Sequence, residues 1–296
     1  MTKAPLVSVI VPTYNRRAFV VEAVRSILEQ SVADLEAIVV DDGSTDGTEE
    51  AVSALCDPRV RYVFAGHAGI AATRNRGLGE ARGRVFAFLD SDDLWVPDKL
   101  ERQLPLLEAG NGFVYGRYRS VQNGETLRSK PVGGPSGRIL LPLMKRIFVQ
   151  MSTAVVGREA AEAVGPFDES LQYADEYDWF LRLAASFPAG FVDEDLVMYR
   201  IHGENESRDR GRRVRENLEV YRRWFSRAGL SRRVRRVAAR RVARYAIQLG
   251  RLRLEGGEPE GAATSFREAL RARPFSVAAR LGLRGAARAL RAREDG

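Results

Sequence analysis

Residues Val85-Phe86-Ala87-Phe88-Leu89 run without a break into Asp90-Ser91-Asp92-Asp93, and this junction limits the possible folds more than any other stretch. A short continuous apolar run reads as a strand buried on both faces, which belongs in a sheet covered by helices. Acids at the carboxyl end of such a strand fall where open α/β sheets bind their ligands. Carboxylates this close repel one another unless something positive lies between them, and a hard divalent cation with oxygen ligands is the usual answer. A helix N-terminus ahead of Pro97 and a helical run over 99–107 would account for one or two of the three acids.

The segments on either side repeat the strand-then-helix pattern. Residues 6–11 read as a buried strand stopped by Pro12; after Thr13-Tyr14-Asn15, the apolar positions Val20, Ala23, Val24, Ile27 and Leu28 predict a helix. A second strand over 37–40 ends in Asp41-Asp42-Gly43-Ser44-Thr45-Asp46-Gly47, with a short helix over 49–55 behind it. A third strand over 60–64 and its helix over 70–82 precede the opening stretch as fourth strand, and 113–115 reads as a fifth. Alternating strands and helices imply an α/β fold with a parallel sheet, its ligand edge carrying Tyr14, Asp41, Asp42, Asp90 and Asp92. Farther on, 152–156 reads as a strand, 159–164 as a helix and 165–168 as a turn. Asp175-Glu176 opens an apolar helix, and His202 follows a late strand. The polar, Gly- and Pro-rich stretch 124–136 is expected to be a lid.

Two motifs fail on inspection. Asp42-x-Ser44-x-Asp46-Gly47 begins like a calcium-binding loop, but Ser53 stands where the bidentate Glu is required. Neither a Gly-x-Gly-x-x-Gly run after the first strand nor a Walker phosphate loop is present, which argues against a dinucleotide dehydrogenase or a P-loop ATPase.

Four pieces in series, residues 9–15, 39–46, 72–77 and 88–93, together resemble the family 2 glycosyltransferases of the GT-A fold over roughly residues 5–205. The resemblance implies a Rossmann-like, mostly parallel sheet flanked by helices, and transfer of a sugar from a nucleotide diphosphate (UDP, dTDP or GDP) to an acceptor hydroxyl with inversion. It implies nucleotide contacts from Pro12, Tyr14, Asn15, Asp41, Asp42, Arg74, Asp90 and Ser91, and Mn²⁺ or Mg²⁺ held by Asp92 with Asp90, Asp93 and His202. A hydrogen-bonded loop role is equally open for His202, and a helix-cap role is preferred for Asp46. Inversion needs a base on the face opposite the leaving group. The family carries a Glu-Asp pair whose second member is that base; here the order is Asp175-Glu176, so Glu176 aligns with the base and Asp175 is second choice. Their reach differs by one methylene, roughly 1.5 Å.

The net charge of +8 is unevenly spread: residues 208–296 hold 25 Arg against nine acids, leaving residues 1–207 acidic on balance. The reading is a catalytic domain at 1–207 and an Arg-rich helical extension at 208–296. Within the latter, Leu249-Gly250, Ala262, Phe266, Ala269 and Pro274 fit one tetratricopeptide-type hairpin, though Ala246 and Arg253 stand at its usual aromatic positions. The Arg-dense run 232–244 is expected to be a solvated helix face, with attraction to anionic lipid near a lipid-linked acceptor the next reading and nucleic acid the weakest. The single Cys56 excludes an internal disulfide, and no apolar run is long enough to cross a bilayer. A cytoplasmic location is therefore expected, extending to the inner face of the cell membrane. The function class is an enzyme of polysaccharide or other glycoconjugate assembly, the alternative being a nucleotide-sugar-binding scaffold or regulator without turnover. A sugar-nucleotide-forming nucleotidyltransferase is disfavoured because Pro12-Thr13-Tyr14-Asn15 stands in place of its glycine-rich loop.

Overall fold

The computed structural model describes residues 4–122, 124–127, 134–203 and 209–294, which form two compact units, Met1–Asn205 and Glu206–Gly296. In the first unit the chain runs β1 (Val7–Thr13), α1 (Arg17–Leu28), β2 (Leu35–Asp41), α2 (Thr48–Ser53), β3 (Val60–Phe64), α3 (Ile70–Glu80) and β4 (Val85–Phe88). It continues through β5 (Leu94–Trp95), α4 (Lys99–Glu108), β6 (Phe113–Gln122), β7 (Glu125–Thr126), α5 (Leu140–Lys145), β8 (Val155–Gly157), α6 (Arg158–Val164), α7 (Asp175–Ser186) and β9 (Ala189–Arg200). The sheet order is β3-β2-β1-β4-β8-β6-β9-β5, with β7 hairpinned onto β6. Pairing is parallel from β3 to β4, antiparallel on both sides of β8, and parallel again between β6 and β9.

This order carries the main consequence for function. The chain leaves β1 for β2 and β3 on one side, then returns to β4 on the other, so the carboxyl tips of β1 and β4 flank a topological switch point. Every residue of β1, β2 and β4 is buried, as in strands covered on both faces, and the polar Ser8 and Glu36 among them bond to each other. Helix α3 reaches this sheet closely because Gly77 has no side chain: a Cβ there would lie 2.4 Å from Ile10 Cγ2 on β1. Arg74, one turn earlier on α3, is thereby brought down to the strand tips.

Two expectations are corrected. β1 does not stop at Pro12 but runs on to Thr13. Its ladder to β4 ends at Ile10 paired with Phe88, so Pro12 lies beyond the partner that would have needed its missing N–H. The run 152–156 is a 3₁₀ turn, Met151–Thr153, followed by β8. Thr153 is claimed by Gln150 on both its N–H and its hydroxyl, and such local side-chain bonds compete with strand formation. Part of the expected lid, 128–133, lies outside the described residues, while Glu125–Thr126 is paired as β7.

At the opposite, amino-terminal end of the strands a buried carboxylate is fully employed. Glu36 on β2 accepts from Ser8 Oγ (2.7 Å), from Arg82 N (2.9 Å) and from Arg82 Nη2 (2.7 Å), tying the turn after α3 to β1 and β2. Burial alone would raise its pKa, but these donors outweigh it and hold the group below its ordinary value.

The second unit consists of α8 (Arg210–Ser226), α9 (Arg232–Glu255), α10 (Pro259–Ala272) and α11 (Val277–Glu294). Its packing centres on Phe266 of α10, fully buried; a Cβ at Gly250 of α9 or Gly282 of α11 would stand 2.7 and 2.3 Å from its ring. Two glycines thus let three helices close on one aromatic. Among the described residues no helix is long and apolar enough to cross a membrane.

The Glu36 cluster predicts how stability follows pH. A carboxylate whose folded pKa is lowered contributes stability above its unfolded value and loses it as pH falls through the folded one. Glu36→Gln should lower the unfolding free energy by roughly 1–3 kcal/mol at neutral pH. In denaturant titrations the gap from the parent protein should narrow below about pH 4, and a gap independent of pH would contradict this account.

Candidate active site

Three loops meet at the carboxyl edge of β2, β1 and β4. Those after β1 and β2 are laced to each other: Asn15 N donates to Ser44 Oγ (2.8 Å), Thr45 N donates to Asn15 Oδ1 (2.8 Å), and Arg17 N donates to Asp46 Oδ2 (2.9 Å). Asn15 takes a positive φ of 49° to do so, a conformation Asn tolerates better than most residues. Asp46 also accepts from Thr48 N and Oγ1, at the first residue of α2, whose N-cap position is Gly47.

Asp41 and Asp42 are buried and already engaged. Asp41 accepts from Ser44 N (2.8 Å) and from the hydroxyl of Tyr62 (2.7 Å). Burial, and secondarily Asp41, keeps that phenol above its ordinary pKa. Asp42 accepts from the N–H groups of Ala68 (2.7 Å) and Gly69, shaping the loop ahead of α3. His67 in that loop meets the Asp42 carbonyl at 3.1 Å and lies 4.8 Å from the ring of Tyr14, which is 42% exposed. The two rings form an open aromatic platform beside Asp42. His67 therefore sits at the site.

The acid run after β4 divides its labour. Asp93 N donates to the Asp90 carbonyl (2.9 Å), closing a turn around Ser91, which is buried, and Asp92. Asp93 is wholly buried and accepts from Ser152 Oγ (2.6 Å) and Gln150 Nε2 (3.0 Å). Burial drives its pKa well up, the charges of Asp90 and Asp92 add to this, and those two donors pull partly back. Its Oδ2 is taken by these two donors, which hold the loop to the turn at Met151–Thr153. Asp92 instead meets His202, with Nε2 and Oδ2 3.0 Å apart and the imidazole stacked on Phe19 at 4.8 Å. Arg200 reaches the Asp92 carbonyl, Glu22, and the Phe19 carbonyl (3.3 Å), fastening the end of β9 to α1 and to this loop.

Asp92 and His202 fit a hard divalent cation. Two donor atoms on adjacent positions of an octahedron with bonds of about 2.1 Å lie about 3 Å apart, which is the spacing seen here. The carboxylate suits either Mn²⁺ or Mg²⁺, and an imidazole beside it, a ligand of transition metals, favours Mn²⁺ of the two. Among the described residues no group of three or more His, Cys, Asp or Glu could hold a metal by itself. Any such ion would take its remaining ligands from bound phosphate and water, the usual state of Mg²⁺ sites.

The centre of the site is Arg74. Its buried guanidinium donates through Nη1 to Asp175 Oδ2 (2.6 Å) and through Nη2 to Asp90 Oδ1 (3.1 Å), joining the tip of β4 to the start of α7. Burial alone would loosen its proton, but Asp175, Asp90 and Glu176 more than compensate. Asp90, whose side chain is 29% exposed, is raised by burial, lowered by Arg74 and raised again by Asp92. The same junction is braced apolarly, with Phe88 edge-on to Trp179 (5.5 Å) and Trp179 stacked on Phe167 (4.5 Å). Arg76, by contrast, forms only a surface pair with Glu80.

Glu176 follows Asp175 in the first turn of α7. It is half-buried, and no hydrogen-bond or ion-pair partner is found for its carboxyl among the described residues. Desolvation pushes its pKa up to about 8; Arg74 pulls it down, and Asp90 and Asp175 push it up. Asp175 is locked to Arg74, whereas Glu176 is unpaired and basic enough to take a proton near neutral pH. Tyr62, Ser152, Gln150, Phe19 and Arg200 were not singled out from sequence. Only Arg200, two residues before His202, offered a positional signal.

Comparison with known proteins gives concordant results. The family model described as glycosyl transferase family 2 matches residues 8–163. TuaG of Bacillus subtilis (strain 168), a glycosyltransferase named for teichuronic acid biosynthesis, is 34% identical over 223 residues, covering 74% of this chain and 88% of TuaG. WfgD of Escherichia coli, named as a UDP-Glc:alpha-D-GlcNAc-diphosphoundecaprenol beta-1,3-glucosyltransferase, is 32% identical over 229 residues, 73% of this chain and 85% of WfgD. An uncharacterised glycosyltransferase of Rickettsia felis is 35% identical over 201 residues, 67% of this chain; the match spans 33% of that longer protein. Among solved structures, S. aureus TarS 1–349 in complex with UDP-GlcNAc superposes with a TM-score of 0.69 at 17% identity, covering 90% of this chain and 81% of that one. The mannosyltransferase PcManGT of Pyrobaculum calidifontis, in complex with GDP-Man and Mn²⁺, gives 0.63 at 23%, covering 98% and 81%. Both structural likenesses are likenesses of fold.

The charge arrangement predicts that Glu176 titrates near pH 8 when followed by carboxyl infrared or NMR signals of the labelled side chain. Asp90→Asn, which deletes a neighbouring negative charge, should lower that midpoint, and Arg74→Gln should raise it. A midpoint in the ordinary Glu range, unmoved by either change, would contradict the geometry.

Proposed function

The chain belongs to glycosyl transferase family 2, and we propose that it transfers a sugar from a nucleotide diphosphate to an acceptor hydroxyl with inversion, assisted by Mn²⁺ or Mg²⁺. The observation that carries this reading is the pairing of opposites on one guanidinium. Arg74 holds Asp90, at the nucleotide edge, and Asp175, beside the unpaired Glu176. Donor site and base are thereby set at a fixed separation.

In this reading the ribose and base of the donor lie along Pro12, Tyr14, Asn15, Asp41 and Asp42, with the Tyr14–His67 platform available to an aromatic base. Asp90 and the turn at Ser91 accept ribose hydroxyls. Asp92 and His202 would hold the cation, which supplies Lewis-acid neutralisation of the departing diphosphate. Glu176, deprotonated, takes the acceptor hydroxyl's proton as the oxygen attacks the anomeric carbon from the face opposite the diphosphate. The Asp175 carboxyl is instead taken up by Arg74 Nη1 at 2.6 Å, which leaves Glu176 as the carboxyl free to face the acceptor. Arg74 has no free fork for phosphate, so its part is positioning and charge balance rather than direct contact with the diphosphate. The order Asp-Glu is workable since the base needs freedom and basicity, and Glu176 has both.

Relatives named for teichuronic acid synthesis and for transfer to a diphosphoundecaprenol-linked sugar support a role in polysaccharide or other glycoconjugate assembly, with a lipid-diphosphate-linked acceptor. WfgD, named for a UDP-Glc donor, supports a UDP-sugar before a GDP-sugar.

The test combines binding with turnover. Mn²⁺ should raise the melting temperature strongly only together with a nucleotide diphosphate, and Asp92→Asn or His202→Ala should abolish that synergy. Glu176→Gln should keep nucleotide binding while lowering kcat by roughly 10²–10⁴-fold. For the parent protein, kcat/KM should rise with pH through a free-enzyme value near 8. Tight metal-assisted nucleotide binding without transfer or hydrolysis across a panel of donors and acceptors would instead favour a binding protein.

A further inference from the structure

The Arg-dense segment that stands out in the sequence is the amino-terminal half of α9, yet its apolar stripe of Val234, Val237, Ala238 and Val242 is buried within the second unit. No apolar face remains there for a further partner. The next helix but one is different. Phe275, in the loop leading into α11, is 88% exposed, and Val277 and Leu281 in its first turns are 68% and 57% exposed. These are among the most exposed large apolar side chains described, and they lie within seven residues of one another.

Their neighbours share one sign. From Arg271 to Arg293 the chain holds seven Arg and no Asp, Glu or Lys. Arg280, Arg284 and Arg288 are exposed, and helical spacing puts them on the same side of α11 as Val277 and Leu281. Arg280 also donates to the Pro274 carbonyl (3.0 Å), fixing the loop that presents Phe275. The face therefore has an apolar tip at the amino end of α11 and a guanidinium stripe along the rest.

We propose that this face of α11 docks on an anionic lipid bilayer, with Phe275, Val277 and Leu281 entering the interfacial region while Arg280, Arg284 and Arg288 meet lipid phosphates. An aromatic and aliphatic tip combined with arginines is the composition of helices that lie in the membrane interface. Arginine pairs with phosphate oxygens through a two-pronged fork. A second copy of the chain is disfavoured as occupant. A two-fold contact would set this face against itself, and its charges all repel. The proposal rests on the surface of α11 alone and stands or falls independently of the catalytic reading.

The experiment is co-sedimentation of the full chain with vesicles of phosphatidylcholine alone, or with about one third phosphatidylglycerol, at low and physiological salt. Binding should require the anionic lipid and weaken with salt. Replacing Arg280, Arg284 and Arg288 by Gln should weaken partition roughly 100-fold, from about fivefold per arginine. Phe275→Ser with Leu281→Ser should also weaken it while leaving the salt dependence, and Phe275→Trp should show a blue-shifted emission on anionic vesicles only. All three variants alter solvent-facing side chains, and each is checked for parent-like circular dichroism and for unchanged nucleotide binding. Equal binding to neutral vesicles, no binding to anionic vesicles at low salt, or a parent dimer in light scattering that the Phe275→Ser, Leu281→Ser variant converts to monomer would each overturn the proposal.

Discussion

The first unit depends on one buried cation. Asp90 and Asp175 approach the same guanidinium from two elements far apart in sequence, so it ties the tip of β4 to the start of α7. Removing one partner of such a buried pair leaves the other charge uncompensated, which is far costlier than the pair itself. Arg suits this task better than Lys because its planar fork reaches two acids at once and it keeps its charge when buried. Gly77 belongs to the same arrangement, since any side chain there would lift α3, and Arg74 with it, away from β1.

Around that cation, similar residues take dissimilar tasks through their surroundings. Asp93 is buried among donors and fixes the loop; Asp92 stands against an imidazole; Asp90 shares Arg74. Asp175 and Glu176 are consecutive, yet one is held in an ion pair and the other left without a partner, with a pKa raised to about 8. Two acids whose environments push their affinities for protons apart are the usual mark of an acid–base site. The position of a carboxyl in the sequence says where it can be, and its hydrogen bonds say what it can do.

That distinction explains what could be read before the structure was known. The tips of β2 and β4 were legible because apolar runs ending in Asp carry their own register, and β3 emerged with the limits its sequence suggested. β5 was not legible: Leu94–Trp95 is a two-residue strand whose existence depends on β9, a hundred residues away. The antiparallel insertion of β8 was likewise invisible, since alternation of strand and helix suggests parallel pairing throughout. At the site, the acids themselves were found, but the hold of Ser152 and Gln150 on Asp93 was not, because they reach it from a turn whose β-branched residues read as a strand. Tyr62 escaped notice because its role is set by sheet pairing, which places it beside β2, and no local motif records it.

The internal accounting of charge also bears on why a cation should matter to this protein. Arg74 is committed to Asp90 and Asp175, and Arg200 to Glu22 and to the carbonyls of Asp92 and Phe19. Both arginines hold the site together and have little left for a ligand. The remaining edge presents Asp41, Asp42, Asp90 and Asp92, so a diphosphate approaching it would meet like charge. An anionic donor bound by such an edge needs positive charge that arrives with it. The 3.0 Å spacing of Asp92 and His202, too few to hold an ion by themselves, is what a site shared with the donor's own oxygens would require. In the proposed reading, sharing of this kind would make nucleotide and ion each the condition of the other's binding.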